Sequence, residues 1–335
     1  MSLFGEYPCV NMTIPPSYIS FTTASIFIPL TLLTVTGNLL VLLAIFVDPY
    51  RDLKSPFNYF VANLAVADLL VGALVDPLSS AYLYSEGLYG NYPNTLDIVF
   101  VPYFMASSAS VLSLAALTFD RYLAITSPMS YRMKLNYKRA GFISLGIWVF
   151  SIGFSFIYFA TGYLMFAFIF VHTIILFALF VTLFTYQRIF KVFKAQVEQW
   201  DNMNDTKNED NFAKCQAVRW EQKVTKTFLI MLVFFLGCYL PACICIYITN
   251  LCSTCSCVLI HWARDVHLVL ILANSSMNPF LYALRFDNFR KAFKKMFRCS
   301  TLVNKFQTFN LQVFNSSSET TTSTTTLHKS QSSSV

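Results

Sequence analysis

From Ala140 to Gln187 the chain runs for 48 residues without one Asp, Glu, Lys or Arg. As a single helix that stretch would extend roughly 70 Å, more than twice the ~30 Å hydrocarbon core of a bilayer. It must therefore fold back on itself, and the one convincing break is Ala160-Thr161-Gly162-Tyr163. Two apolar spans joined by a very short connection follow. Across all 335 residues only 12% are charged and 56% are hydrophobic, whereas a soluble domain carries about a quarter charged residues to form its polar coat. A cytosolic multi-domain enzyme, a coiled coil, a collagen-like chain and a wholly disordered chain are excluded by the same arithmetic.

Five further spans are readable. Phe21 to Val47 is charge-free, Phe57 to Val75 is broken only by Asp68, and Ile98 to Phe119 ends at Asp120-Arg121. Thr227 to Ala263 is a second double-length run, broken by Thr249-Asn250 and the cluster Cys252 to Cys257; the last span covers Leu259 to Leu284. The predicted fold is an all-α membrane protein, a seven-transmembrane helix bundle over residues 21–284 after an N-terminal segment 1–20. With the N-terminus outside, 23 of the 24 Lys and Arg fall on the inner side and only Arg264 outside, as the positive-inside rule requires. No signal-peptide pattern precedes the first span, which then serves as its own insertion signal. Asn11-Met12-Thr13 becomes a glycosylation sequon on the outer side, while those at Asn204 and Asn315 lie inside.

After the last span, Phe286, Phe289, Phe293 and Phe297 fall at helical spacing opposite Arg290, Lys291, Lys294, Lys295 and Arg298. Residues 285–299 are thus expected to form a short amphipathic helix on the inner leaflet, in contact with membrane lipid. Cys299 at its end is either palmitoylated or a plain thiol. Residues 300–335 form a Ser/Thr-rich tail expected to be disordered and cytosolic, ending in Ser333-Ser334-Val335, which fits a PDZ-domain ligand.

Polar groups inside apolar spans are costly and so mark candidate functional sites, the plainer alternative being interhelical hydrogen bonds. Six of the seven spans carry a landmark: Gly37-Asn38, Asn63-Leu-Ala-Val-Ala-Asp68, Ser107, Ser108 and Ser110, Trp148, Cys238-Tyr-Leu-Pro241, and Asn274 to Tyr282. Asp68 reads as the only acid deep inside a span, and should be protonated or ion-paired there.

In this order the landmarks GN, NLAVAD, DRYLAI, W, CYLP and NPFLY resemble those of a rhodopsin-like (class A) G-protein-coupled receptor over roughly residues 20–299. The resemblance implies a plasma-membrane receptor with an extracellular ligand and a heterotrimeric G protein. Its tail would serve a receptor kinase and arrestin. Arg121 of Asp120-Arg121-Tyr122 would pair with Asp120 or Glu221 at rest and meet the G protein when freed. Tyr186 and Tyr282 match tyrosines that swing toward it, unless they merely belong to an interfacial aromatic belt. Pro241 and Pro279 would kink their helices. Asp68, Ser110, Asn274 and Asn278 match the family's sodium pocket, with Asn38 nearby; the alternative is a neutral Asp68 in a hydrogen-bonded cluster. No other cofactor is implied.

Absences shape the ligand reading. The last span has no Lys for a retinal Schiff base. Tyr103 stands where amine receptors place their acid, which disfavours a monoamine. Leu96 stands at the family's disulfide cysteine, Tyr239 replaces a Trp, and Ala178 replaces a Pro. Together with the cysteine-rich third outer loop, these departures resemble the melanocortin branch, in the cluster holding lysophospholipid, cannabinoid and adenosine receptors. In that branch loop and N-terminal disulfides replace the usual bridge; here Cys252, Cys255, Cys257 and Cys9 are the candidates, with pairing open. Leu78, Leu96 and Phe100 occupy the positions of that branch's ligand-binding acids. Asp76 and Asp97 lie one or two residues away, either as pocket acids or as solvated acids at the outer edge. Tyr103, Phe104, Tyr239 and His267 complete an aromatic pocket.

The favoured function is a receptor that binds a peptide or a small lipophilic or nucleoside-like ligand and activates a G protein. The alternatives are an orphan or constitutively active receptor of the same fold answering an amine, or a membrane transporter. The spans show no internal repeat, no HExxH and no GxSxG, so a transporter and an enzyme are both disfavoured. No feature calls for a nucleic acid.

Overall fold

The computed structural model describes residues 16–48, 55–90, 100–126, 137–204, 230, 233–252, 254–285 and 287–297. They form α1 (Ser17–Val47), α2 (Pro56–Tyr89), α3 (Phe100–Thr126) and α4 (Tyr137–Ser155). The second half comprises α5 (Tyr158–Phe170, running through Val171–Ile175 into Leu176–Asn204), α6 (Val233–Leu251), α7 (Cys257–Arg285) and α8 (Asp287–Phe297). Six of these helices are long and apolar enough to cross a membrane. The other long one, α4, carries Lys138 and Arg139 in its first turn. The result is a seven-helix bundle with a short eighth helix. In it α3 packs against α2, α4 and α5, while α1 closes on α2, α7 and α8.

The fold-back inside the charge-free stretch falls at Gly162, whose φ of 72° and ψ of 174° interrupt the helix. That backbone conformation is open to glycine and strained for other residues, so one residue serves as the corner between the fourth and fifth spans. Along the two spans it joins, Phe142, Phe150, Phe177 and Phe180 are exposed on the outer surface of the bundle, where lipid rather than water suits them. The second break is the segment after Leu251, closed by a Cys252–Cys255 disulfide. Thr249 and Asn250, expected to break the helix, instead remain in it and return their side chains to the Ile246 carbonyl.

Two spans are longer than the charge pattern suggested. α3 continues through Asp120-Arg121-Tyr122. α2 runs 34 residues to Tyr89, past Asp76 and Glu86, because both acids are buried within the bundle. A π-helical turn at Val71–Val75 precedes Asp76-Pro77. Such a turn absorbs one extra residue and resets the helix face that follows.

Contact between α1 and α7 explains two landmarks at once. Pro279 has no amide hydrogen, so the Ser275 carbonyl one turn earlier loses its helical donor. Asn38 Nδ2 donates to that carbonyl at 3.1 Å, and to the Thr34 carbonyl at 3.0 Å. Gly37 lets the proline ring in: a Cβ there would lie 2.8 Å from Pro279 Cγ. Replacing Asn38 with Leu should therefore leave a buried carbonyl unpaired and destabilise the bundle by about 1–3 kcal/mol. A lowered unfolding temperature of the purified chain measures it, and an unchanged one would show that another donor reaches Ser275.

Candidate functional site

One end of the bundle centres on Arg121. Its Nε and Nη2 donate to Asp120 Oδ2 at 2.9 and 2.5 Å, and its guanidinium lies 4.0 Å from the Phe57 ring centroid. Tyr122 packs edge-on to Phe184 of α5. Tyr186 is buried nearby in sequence on α5, and Tyr282 is buried on α7 with its ring stacked on Phe289 of α8 at 5.7 Å. Phe289, Ala292 and Met296 of α8 face the bundle, while Arg290, Lys291 and Lys294 are exposed. The stripe thus packs on protein as well as meeting lipid. Glu221, the second acid expected to hold Arg121, lies outside the described residues.

Midway along the bundle Asp68 is fully buried. Ser110 Oγ donates to its Oδ1 at 2.7 Å and Asn278 Nδ2 to its Oδ2 at 2.6 Å, joining α2, α3 and α7. Asn274 is buried one turn from Asn278, and Asn38 Oδ1 is buried without a hydrogen-bond partner among the described residues. The Asp68 carboxylate and the Ser110 hydroxyl beside it are oxygen donors of the kind a hard cation takes. Beside it, Asn63 donates to Ser113 at 2.7 Å and accepts from Trp148 Nε1 at 2.9 Å, so the α4 landmark is a structural tie among three helices.

Toward the disulfide end an aromatic cluster fills the centre. Phe104 contacts Tyr103, Tyr158, Tyr163, Phe166 and Phe170 through ring centroids 4.5–6.2 Å apart. Tyr239 is buried on α6 against Phe235, 4.5 Å away. His267 Nε2 and the Tyr163 hydroxyl share a 3.1 Å hydrogen bond across α7 and α5. Tyr103, Phe104, Tyr239 and His267 are thus all buried in the half of the bundle where a pocket was expected. Asp97 lies outside the described residues.

The acids of this half depart from expectation. Asp68 is not alone: Asp76, Glu86 and Asp265 are each 0% exposed. The reading of Asp76 as a solvated edge acid is therefore wrong, because the π turn carries it inward. Arg264, the one basic residue assigned to the outer side, is buried as well. Its Nη1 and Nη2 donate to Glu86 Oε1 and Oε2 at 2.7 and 2.8 Å, its Nε donates to Asp265 at 2.8 Å, and Ser20 Oγ donates to Glu86 at 2.9 Å. The cluster pins α1, α2 and α7 together at the disulfide end. It was visible in the sequence only as an Arg-Asp pair inside an apolar helix. Cys257 is disulfide-bonded too. Cys9, Asn11 and Cys299 also lie outside them.

The sequence pattern of the 7 transmembrane receptor (rhodopsin family) matches residues 37–163 and 159–282. The chain belongs to this family. Among its relatives, the histamine H2 receptor of Canis lupus familiaris is 29% identical over 325 residues, spanning 89% of this chain and 85% of that protein. Trace amine-associated receptor 9 of Mus musculus is 30% identical over 320 residues, spanning 82% and 86% respectively. Dopamine receptor 2 of Drosophila melanogaster is 40% identical over a 129-residue segment, 37% of this chain and 22% of that protein. These are receptors, not enzymes, and the chain is a multi-pass G-protein-coupled receptor whose partners are a ligand and a G protein. Their names lend no support to the melanocortin branch that the loop cysteines suggested. For a rhodopsin-family receptor, the geometry places the Asp120–Arg121 pair at one end of the bundle. The aromatic cluster lies toward the other, with Asp68 between them.

Proposed function

We propose that this receptor is activated by a small protonated amine arriving from the disulfide end, which the charge distribution turns toward the cell exterior. Ligand binding biases the Pro241- and Pro279-bearing helices and loosens Arg121 from Asp120 at the G-protein end. The observation that carries the ligand class is the similarity over most of the chain to histamine and trace amine receptors. The missing acid at Tyr103 weighed against an amine, but it removes one anchoring position and not the chemistry. A peptide or lipophilic ligand is the second reading, favoured by the rings packed around Phe104. In the same reading Asp68, Ser110 and Asn278, with Asn274 beside them, hold a sodium ion that neutralises the Asp68 carboxylate. The receptor sits in the plasma membrane, glycosylated at Asn11 and palmitoylated at Cys299, and its tail recruits arrestin after phosphorylation and offers its last residues to a PDZ domain.

Membranes from cells expressing the full chain should load a GTP analogue when given histamine, dopamine or 2-phenylethylamine. The Arg121→Ala variant should stay at the unstimulated level. Loading driven only by peptides or lipids would replace the amine reading with the second one, and solute flux without loading would refute G-protein coupling.

A further inference from the structure

Asp76 has no partner for its charge among the described residues. The residue is 0% exposed, and neither carboxylate oxygen has a hydrogen-bond partner among the described residues. Every other fully buried acid described here has a partner on at least one carboxylate oxygen: Asp68 from Ser110 and Asn278, Glu86 and Asp265 from Arg264, whereas Asp76 has one on neither. An isolated buried carboxylate is among the costliest groups a fold can hold, and inside a membrane span such a residue marks a ligand or ion path.

Its position follows from the helix register. Asp76 is eight positions beyond Asp68, but the π turn at Val71–Val75 lies between them. One residue is absorbed there, which leaves the equivalent of about seven α-helical steps, two turns with an offset of about 20°. Asp76 therefore falls on the helix face that Asp68 presents to α3 and α7, about 10 Å closer to the disulfide end. On α3, Tyr103 lies two turns from Ser110 in the same direction, and on α7 Ile271 lies two turns from Asn278. Because Ser110 and Asn278 both touch Asp68, Asp76, Tyr103 and Ile271 share one layer, and Tyr103 and Ile271 are buried. That layer brings a bare carboxylate to a tyrosine and an apolar wall.

We infer that Asp76 is the counter-ion of the ligand's ammonium group, supplied by α2 because α3 carries Tyr103 at the level facing it. This inference rests on the amine reading above. The ligand must be small. Asp76 lies thirteen residues, about 20 Å, below the end of α2, and the Glu86–Arg264 pair ties α2 to α7 between them. A primary ammonium at this depth donates to both free oxygens while its apolar body packs on Tyr103 and the ring cluster around Phe104.

The test uses the purified full chain in lipid nanodiscs, with binding read without a G protein. Histamine, dopamine and 2-phenylethylamine are titrated, with 2-phenylethanol as the neutral isostere. At least one amine should bind and the alcohol should not; Asp76→Asn should weaken that amine at least about 30-fold, as expected for truncating one partner of a buried charge pair. Asp76→Glu should retain part of the affinity. The ligand-free unfolding temperature of Asp76→Asn should hold or rise, because removing an unpaired charge relieves the fold. A fall would instead assign Asp76 a structural bond. Amine binding unaffected by Asp76→Asn, or equal binding of the alcohol, overturns the assignment even if amines still drive GTP loading. Binding lost in Asp76→Asn with no loading in the parent leaves the counter-ion standing and rejects the coupling half of the reading. No amine binding at all overturns both.

Discussion

Replacing Arg264 with Met should unfold the receptor more readily than any other single change at the disulfide end. Its guanidinium is shared by two carboxylates, bidentate to Glu86 and through Nε to Asp265, with side-chain exposures of 6%, 0% and 1% for Arg264, Glu86 and Asp265. Removing the cation leaves two acids facing each other out of water. Breaking a buried pair costs about 3–5 kcal/mol, because the remaining charge keeps its desolvation penalty and loses its compensation. At the few degrees per kcal/mol usual for larger domains, the unfolding temperature should drop by about 10 °C. Glu86→Gln should cost less, since Arg264 keeps Asp265 and the amide still accepts from Ser20. Ser20→Ala should cost least, about 1 kcal/mol for one hydrogen bond. Thermal unfolding of the three purified variants gives the order, and an Arg264→Met receptor as stable as its parent would mean that the cluster is not holding α1, α2 and α7 together.

That cluster also shows where reading the sequence stops. Gly162 was legible because it is the one break in a charge-free run too long for a single helix. Gly37, Asn38, Asp68, Ser110, Asn278 and Pro279 were legible because a polar or helix-breaking residue stands out in an apolar span. The contacts among them then follow a simple need, such as the carbonyl that Pro279 leaves without a donor. The disulfide-end acids behave otherwise. Glu86 and Arg264 are 178 positions apart, so no local pattern announces the pair, and each alone looks like a charge marking the end of a span. Whether Asp76 faced the bundle or its edge stayed open for a geometric reason. Counting residues assumes 3.6 per turn, and the π turn before it breaks that assumption by about 100°. The sequence left Asp76 open as a pocket acid or an edge acid, and a monoamine was disfavoured on Tyr103 at the usual acid position alone.

At the opposite end, Asp120→Asn should raise basal signalling. Asp120 receives both the Nε and the Nη2 of Arg121 on one carboxylate oxygen and is itself nearly inaccessible, while Arg121 keeps 13% of its side chain exposed. The amide has the shape of the acid but not its charge. Hydrogen bonds to charged groups contribute about 1.5–3 kcal/mol, so loosening them shifts the ratio of paired to released Arg121 by about 10–100-fold. Where the released form is rare, its population, and with it ligand-free GTP loading, should climb in proportion until it saturates. The Phe57 ring under the guanidinium sets a second, weaker hold. A cation–π contact contributes about 0.5–2 kcal/mol, so Phe57→Leu should raise basal loading less than Asp120→Asn does. The two changes together should exceed either one, because each leaves the other's hold intact. Arg121→Ala placed on top of Asp120→Asn should return loading to background if, as proposed, the residue being released is also the one that couples. Ligand-free loading at matched surface expression reads all four variants. If Asp120→Asn stays at the parent's basal level, the resting state is held elsewhere, and the 2.5 Å pair at the end of α3 orients Arg121 without restraining it.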